Sequence, residues 1–94
     1  MGSNVAYKAS ISKGSCGKPP TSPDQWSPNV FAEGLNVVRN SDKWKEHCTT
    51  DCHVPVQAEG SSTVFVNGLP LARVGDSMDC GDEVATGAGT VFSG

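Results

Sequence analysis

The sequence predicts an all-β fold, a small domain of short β-hairpins repeated about three times. Three observations predict it. NVFAEGLNVVRNSD (residues 29–42) aligns without gaps to TVFVNGLPLARVGD (63–76), and a shortened copy, TVFSG (90–94), closes the chain. Eleven glycines and six prolines cut the 94 residues into short pieces. No stretch keeps an apolar period of about 3.6 residues over three turns, as a core-facing helix requires.

The elements follow in order. The N-terminus, MGSNVAYKAS, lacks the apolar region of a secretory signal. CGKPPTSPDQWSP (16–28) carries Pro19, Pro20, Pro23 and Pro28 and reads as an ordered loop. The first hairpin runs from Val30-Phe31 through Glu33-Gly34, a weak turn signal that still retains its glycine. EHCTTDCH (46–53) holds both histidines and two of the four cysteines. After the small-residue linker EGSST (59–63), Val64-Phe65-Val66 runs into Asn67-Gly68, the strongest two-residue hairpin signal because both positions tolerate positive φ. The return strand LPLARV places Pro70 where the ladder needs no N–H donor. Gly75-Asp76 turns the chain again, and TGAGT (86–90) leads into the last copy. The repeat units are thus about 29–47, 63–80 and a truncated 90–94, within one domain spanning 1–94. Phe31, Phe65 and Phe92, at matched positions, are expected in the core, one per repeat. Trp26 and Trp44 fall outside the aligned stretches of the repeat, and the core is the favoured place for both. Asp42 and Asp76 are expected to cap turns.

Composition narrows the function. The net charge is −3, and seven scattered Lys and Arg residues form no basic patch, which argues against a nucleic-acid partner. No apolar run approaches the roughly 20 residues of a membrane-spanning helix. Only 36 % of residues are apolar, so a domain this small needs a metal or disulfides beside its core. Without a secretory signal the chain is expected to be made in the cytoplasm, where a Cys/His cluster points to metal rather than to disulfides.

Six residues can ligate a soft or borderline metal: Cys16, His47, Cys48, Cys52, His53 and Cys80. Neighbours on an extended strand face opposite ways, so one of His47/Cys48 and one of Cys52/His53 is expected to reach the metal. Cys16 and Cys80 then join from opposite ends of the chain. A Cys48–Cys52 disulfide is the alternative if the protein leaves the cell. Free thiols are favoured, and the sequence leaves open whether the two stay free or pair with each other. Glu46 and Asp51 read as solvated loop residues. No Ser/His/Asp arrangement, phosphate loop or paired-carboxylate cleft stands out, so no enzyme activity and no catalytic residue is expected.

GSSTVFVNGLPLARVGDSMDCG (60–81), followed by GAGTVFSG, resembles the PAAR-repeat proteins, the tips of type VI secretion spikes and of related contractile phage tails. The Pro-Ala-Ala-Arg segment that names the family reads Pro70-Leu71-Ala72-Arg73 here. The resemblance implies a small cone of hairpins with pseudo-threefold repeat and a structural zinc ion near its vertex. His47, His53 and Cys80 fall on three of the family's ligand positions. The fourth is a histidine in an N-terminal turn; this chain has SKGSCGKPP there, so Cys16 substitutes, with Cys48 or Cys52 as stand-in. The implied partner is a homotrimeric β-helical spike, VgrG-like or a phage central spike, capped by one monomeric tip per trimer. Such a tip acts at the end of the spike, contacts the target membrane transiently as it pierces the envelope, and carries any effector cargo non-covalently, since the chain ends at TVFSG. Two other readings are a disulfide- or metal-stapled secreted binding module and a small metal-dependent toxin.

Overall fold

The computed structural model describes residues 3–14 and 17–93. Among them there is no helix; eight two-residue strands form four antiparallel ladders. The hairpin β2 (Phe31–Ala32) and β3 (Leu35–Asn36) turns at Glu33 (φ 52°) and Gly34 (φ 81°). The hairpin β6 (Phe65–Val66) and β7 (Leu69–Pro70) turns at Asn67 (φ 54°) and Gly68 (φ 80°). Both turns have two consecutive left-handed residues, the conformation that matches strand twist in a two-residue hairpin. Glu33 is therefore held by its ladder in a conformation that Asn67 adopts more readily. Pro70 pairs opposite Phe65, and its carbonyl accepts the Asn40 N–H at 2.8 Å.

A third ladder joins the two ends of the chain: β1 (Ser3–Asn4) pairs with β8 (Phe92–Ser93), Asn4 opposite Phe92. The closing segment TVFSG thus takes its return strand from the N-terminus. The fourth ladder is β4 (His47–Cys48) with β5 (Cys52–His53).

Three segments, 4–8, 36–40 and 70–74, hydrogen-bond to one another in closed cycles. The Ala6 N–H donates to the Ala72 carbonyl (2.9 Å), Ala72 to Val38 (2.9 Å), and Val38 back to Ala6 (3.0 Å). A second cycle runs from Lys8 to Asn36 (2.8 Å), Asn40 to Pro70 (2.8 Å) and Val74 to Asn4 (2.9 Å). A cycle satisfies its own donors and leaves no open edge around the ring.

Alternation along these three segments builds the core on both sides of the ring. Val5, Val37 and Leu71 enter one buried cluster with Ala32, Val66 and Ala88. Their neighbours Ala6, Val38 and Ala72 enter the other with Trp44, Met78 and Val84. Trp44 is wholly buried, and its indole N–H donates to the buried Gln57 Oε1 at 3.1 Å. Trp26 is only half-buried, with the Lys8 ammonium 4.7 Å from its ring centre.

The phenylalanines are not core. Phe31, Phe65 and Phe92 are 56 %, 57 % and 58 % exposed. In each two-residue strand only one side chain can face inward, and that place goes to the smaller neighbour: Ala32, Val66 and Ser93, all buried.

Asp42 and Asp76 do cap turns. Each accepts the backbone N–H three residues earlier, at 2.8 Å for Arg39 and 2.9 Å for Arg73. Each also takes two hydrogen bonds from the same arginine's guanidinium, which raises both arginine pKa values above the usual range. At Tyr7 the Ser10 hydroxyl plays the matching part, accepting the Tyr7 N–H at 2.9 Å.

Candidate metal centre

The β4–β5 hairpin is an extended pair, so residues directly opposite share a face. His47 pairs with His53 and Cys48 with Cys52. The two imidazoles therefore lie together, ring centres 6.4 Å apart and planes tilted by 39°, while the two sulfurs lie on the other face.

His47 is 3 % exposed. Its Nδ1 lies 2.9 Å from the Pro19 carbonyl oxygen, which only accepts, so Nδ1 carries the hydrogen. Nε2 is then the bare nitrogen, and it is buried without a hydrogen-bond partner. A buried, unpartnered lone pair is costly unless something electron-poor takes it. His53 is half-buried, with Nε2 3.3 Å from Asp79 Oδ1.

Cys80, a half-buried free thiol, sits in the turn closed by Met78 N–H to the Asp82 carbonyl (2.8 Å) and Gly81 N–H to the Met78 carbonyl (3.0 Å). Donor atoms of His53, Asp79 and Cys80 lie within 4.8 Å of one another. His47 stands outside that group and approaches it through His53. Cys16 lies outside the described residues. Its loop is tethered before it: the Gly14 N–H donates to Oδ1 of buried Asp82 at 2.9 Å. After it, Gly17 faces the Thr49 methyl at the tip of the hairpin.

Cys48 and Cys52 form a disulfide, the less favoured of the two states that the sequence leaves open. The hairpin sets them opposite each other across a three-residue loop, which the Thr49 N–H also closes onto the Asp51 carbonyl (2.9 Å). Sulfurs so bonded have no thiolate to offer, so neither cysteine can stand in for Cys16. The grouping of Glu46 with Cys48 and Cys52 fails as a metal site for the same reason.

Imidazole and thiol donors on a hairpin and a tight turn, together with the unpartnered Nε2 of His47, fit a tetrahedral divalent cation of the zinc type. Two participants escaped the sequence: Asp79 and the Pro19 carbonyl. Asp79 had a readable position, immediately before Cys80. A backbone acceptor has no residue type to betray it.

On the other side of the ring lies an apolar hollow of about 400 Å³. Val5, Val37 and Leu71 are among the residues that floor it, and Phe31, Phe65 and Phe92 line it. Cys80 packs instead against the cluster of Ala6, Val38 and Ala72, so hollow and thiol are on opposite sides.

A family model described as the PAAR motif matches residues 10–86. Among curated proteins, the NAD(P)(+) glycohydrolase toxin Tse6 of Pseudomonas aeruginosa PAO1 is 34 % identical over 73 residues, covering 70 % of this chain and 17 % of the toxin. The (p)ppApp synthetase toxin Tas1 of P. aeruginosa UCBPP-PA14 matches with the same figures. The double-stranded DNA deaminase toxin A of Burkholderia cenocepacia H111 is 36 % identical over 66 residues, covering 70 % of this chain and 5 % of the toxin. The chain spans less than one fifth of the length of these relatives.

Proposed function

The chain belongs to the PAAR-motif family, and from that premise we propose that it is a non-enzymatic spike tip, one copy capping a trimeric β-helical spike for the piercing of a target envelope. One observation carries the reading: the apolar hollow lined by Phe31, Phe65 and Phe92. Each phenylalanine stands on a separate ladder, and the three ladders are joined by the cyclic hydrogen bonds of residues 6, 38 and 72. A pseudo-threefold face of this kind suits a partner with true threefold symmetry. Each phenylalanine is more than half exposed to water, which burial against a partner would relieve.

In this reading the domain is a cone, its base the hollow and its vertex the histidine hairpin. His47, His53 and Cys80 hold a structural zinc ion, with Cys16 as the fourth ligand. The ion, when bound, supplies a cross-link between chain segments remote in sequence, and no reaction step. His47 is kept ready by the Pro19 carbonyl, and Cys80 by its tight turn. The toxin relatives contain far more chain than the stretch they share with this one, which supports a carrier role with cargo outside the matched domain. The Cys48–Cys52 disulfide favours a second reading, a stapled module that works in an oxidising compartment.

Co-purification with the trimeric spike separates the two. The tip reading expects one chain per trimer; three per trimer, or none, contradicts it.

A further inference from the structure

Resting on the metal reading above, we propose that Asp79 is a positioning residue that turns His53 so that Nδ1, and not Nε2, is presented to the cation. The two histidines then offer opposite ring nitrogens.

The proposal starts from the proton on each ring. Asp79 Oδ1 is 3.3 Å from His53 Nε2. An ionised carboxylate only accepts, so a neutral His53 bonded to it carries its hydrogen on Nε2 and leaves Nδ1 bare. The arrangement at His47 is the reverse, with Nδ1–H on the Pro19 carbonyl and a bare, buried Nε2.

Asp79 is itself held in place. The same Oδ1 accepts the Val56 N–H at 3.1 Å, and the Asp79 N–H donates to the Val56 carbonyl at 2.9 Å. Val56 follows His53 by three residues, so the carboxylate is fixed to the segment that leads away from the ring it orients. Asp79 also immediately precedes Cys80, and the donor atoms of His53, Asp79 and Cys80 fall within 4.8 Å of one another. One turn thus sets the thiol and the carboxylate that aims the imidazole beside it. Metal-bound histidines commonly donate their second ring N–H to such a partner, and its loss costs about 10–100-fold in metal affinity.

The test uses the full chain with ¹⁵N-labelled histidine, loaded with zinc for affinity and with cadmium-113 for spectroscopy. Coupling between the metal and ring nitrogens identifies the bound atom. The expected result is coupling to Nε2 of His47 and Nδ1 of His53. Asp79→Ala should lower zinc affinity about 10–100-fold in chelator competition and allow His53 to bind through either nitrogen. Asp79→Asn keeps an acceptor oxygen for the ring and for the Val56 N–H, and should retain Nδ1 coupling with affinity within a few-fold of the parent. Coupling to Nε2 of His53 in the unaltered chain would overturn the proposal. So would an Asp79→Ala chain with unchanged affinity and coupling, or Asp79 oxygen bound directly to the metal in X-ray absorption. Failure of the unaltered chain to bind either metal sinks the metal reading, and this inference with it. Binding through the wrong nitrogen sinks the inference alone.

Discussion

His47 and His53 face each other directly across the β4–β5 hairpin, and one residue farther out Cys48 and Cys52 are joined by a disulfide. The covalent bond and the proposed metal bonds therefore hold opposite faces of one short hairpin. A loop this small contributes about 2 kcal/mol in the chain-entropy picture. Replacing both cysteines by serine should lower stability in urea by about that amount and leave the fold intact. Alkylation under denaturing conditions should find two more reactive thiols after reduction than before. Equal counts would contradict the disulfide.

Chelation tests the metal. Structural zinc is worth about 10–16 kcal/mol of apparent binding energy in small domains, as much as the whole stability of many. The disulfide and the cyclic ring remain after the ion leaves, so the expected outcome is a melting temperature lowered by more than about 10 °C, beyond what a loss of about 1 kcal/mol produces. An unchanged melting curve would sink the structural-zinc reading.

The phenylalanine face gives a prediction in which stability and binding part company. Phe31, Phe65 and Phe92 are each more than half exposed, so single changes to serine should alter stability by less than about 1 kcal/mol. Apolar anchors buried at the centre of an interface cost about 2 kcal/mol or more when truncated, roughly 30-fold in affinity. Titration of each variant against the trimeric spike, with circular dichroism as the folding control, reads both. Full spike affinity in all three variants would remove the hollow from the docking surface.

The same phenylalanines mark where the sequence was legible and where it was not. The hairpins around Gly34 and Gly68 could be read because turn chemistry is local: two left-handed residues in succession need glycine and favour asparagine. The disposition of Phe31 could not. Alternation says that Phe31 and Ala32 face opposite ways, and only the ring of residues 6, 38 and 72 decides which of them is inside. The closing ladder was hidden for a related reason. Ser3 and Asn4 carry no strand pattern, and their partners lie at the far end of the chain, where the Asn4 amide also donates to the Ala88 carbonyl. At the candidate site the residue types His and Cys were visible. The Cys48–Cys52 bond could not be decided from residue types: compartment favours free thiols, and only the hairpin register brings the two sulfurs together.

Ser41 and Gly75 occupy matched positions before Asp42 and Asp76, with φ of 76° and 92°. Their N–H groups make matching bonds, to the Gln57 and Val84 carbonyls, at 2.8 and 2.9 Å. Left-handed backbone costs a residue with a Cβ about 1–2 kcal/mol, and glycine's extra unfolded-state entropy returns about 0.5–1 kcal/mol of that. Ser41→Gly should therefore stabilise the domain by about 0.5–1 kcal/mol, with the exposed Ser41–Asn40 side-chain bond a small loss. Urea unfolding checks it. Destabilisation would mean that the serine hydroxyl matters more than its backbone.

Acid should loosen the Glu33 and Glu59 contacts. The Glu33 carboxylate accepts the Thr90 hydroxyl at 2.5 Å and the Thr90 N–H at 2.6 Å, and both hold its pKa below the usual glutamate range. Glu59 is lowered by the Ser77 N–H and hydroxyl. A carboxylate with a depressed folded pKa binds its proton more readily in the unfolded chain. Its contribution is thus complete above the unfolded value of about 4.3 and is lost as pH falls through the lower folded one. Residue-resolved NMR titration should find both midpoints below 4.3, and Thr90→Val should raise that of Glu33 while leaving that of Glu59 in place. Because each carboxylate is fully exposed, the shift is read at the residue itself and not in global stability. An unmoved Glu33 midpoint in the valine variant would show that Thr90 is not what holds it down.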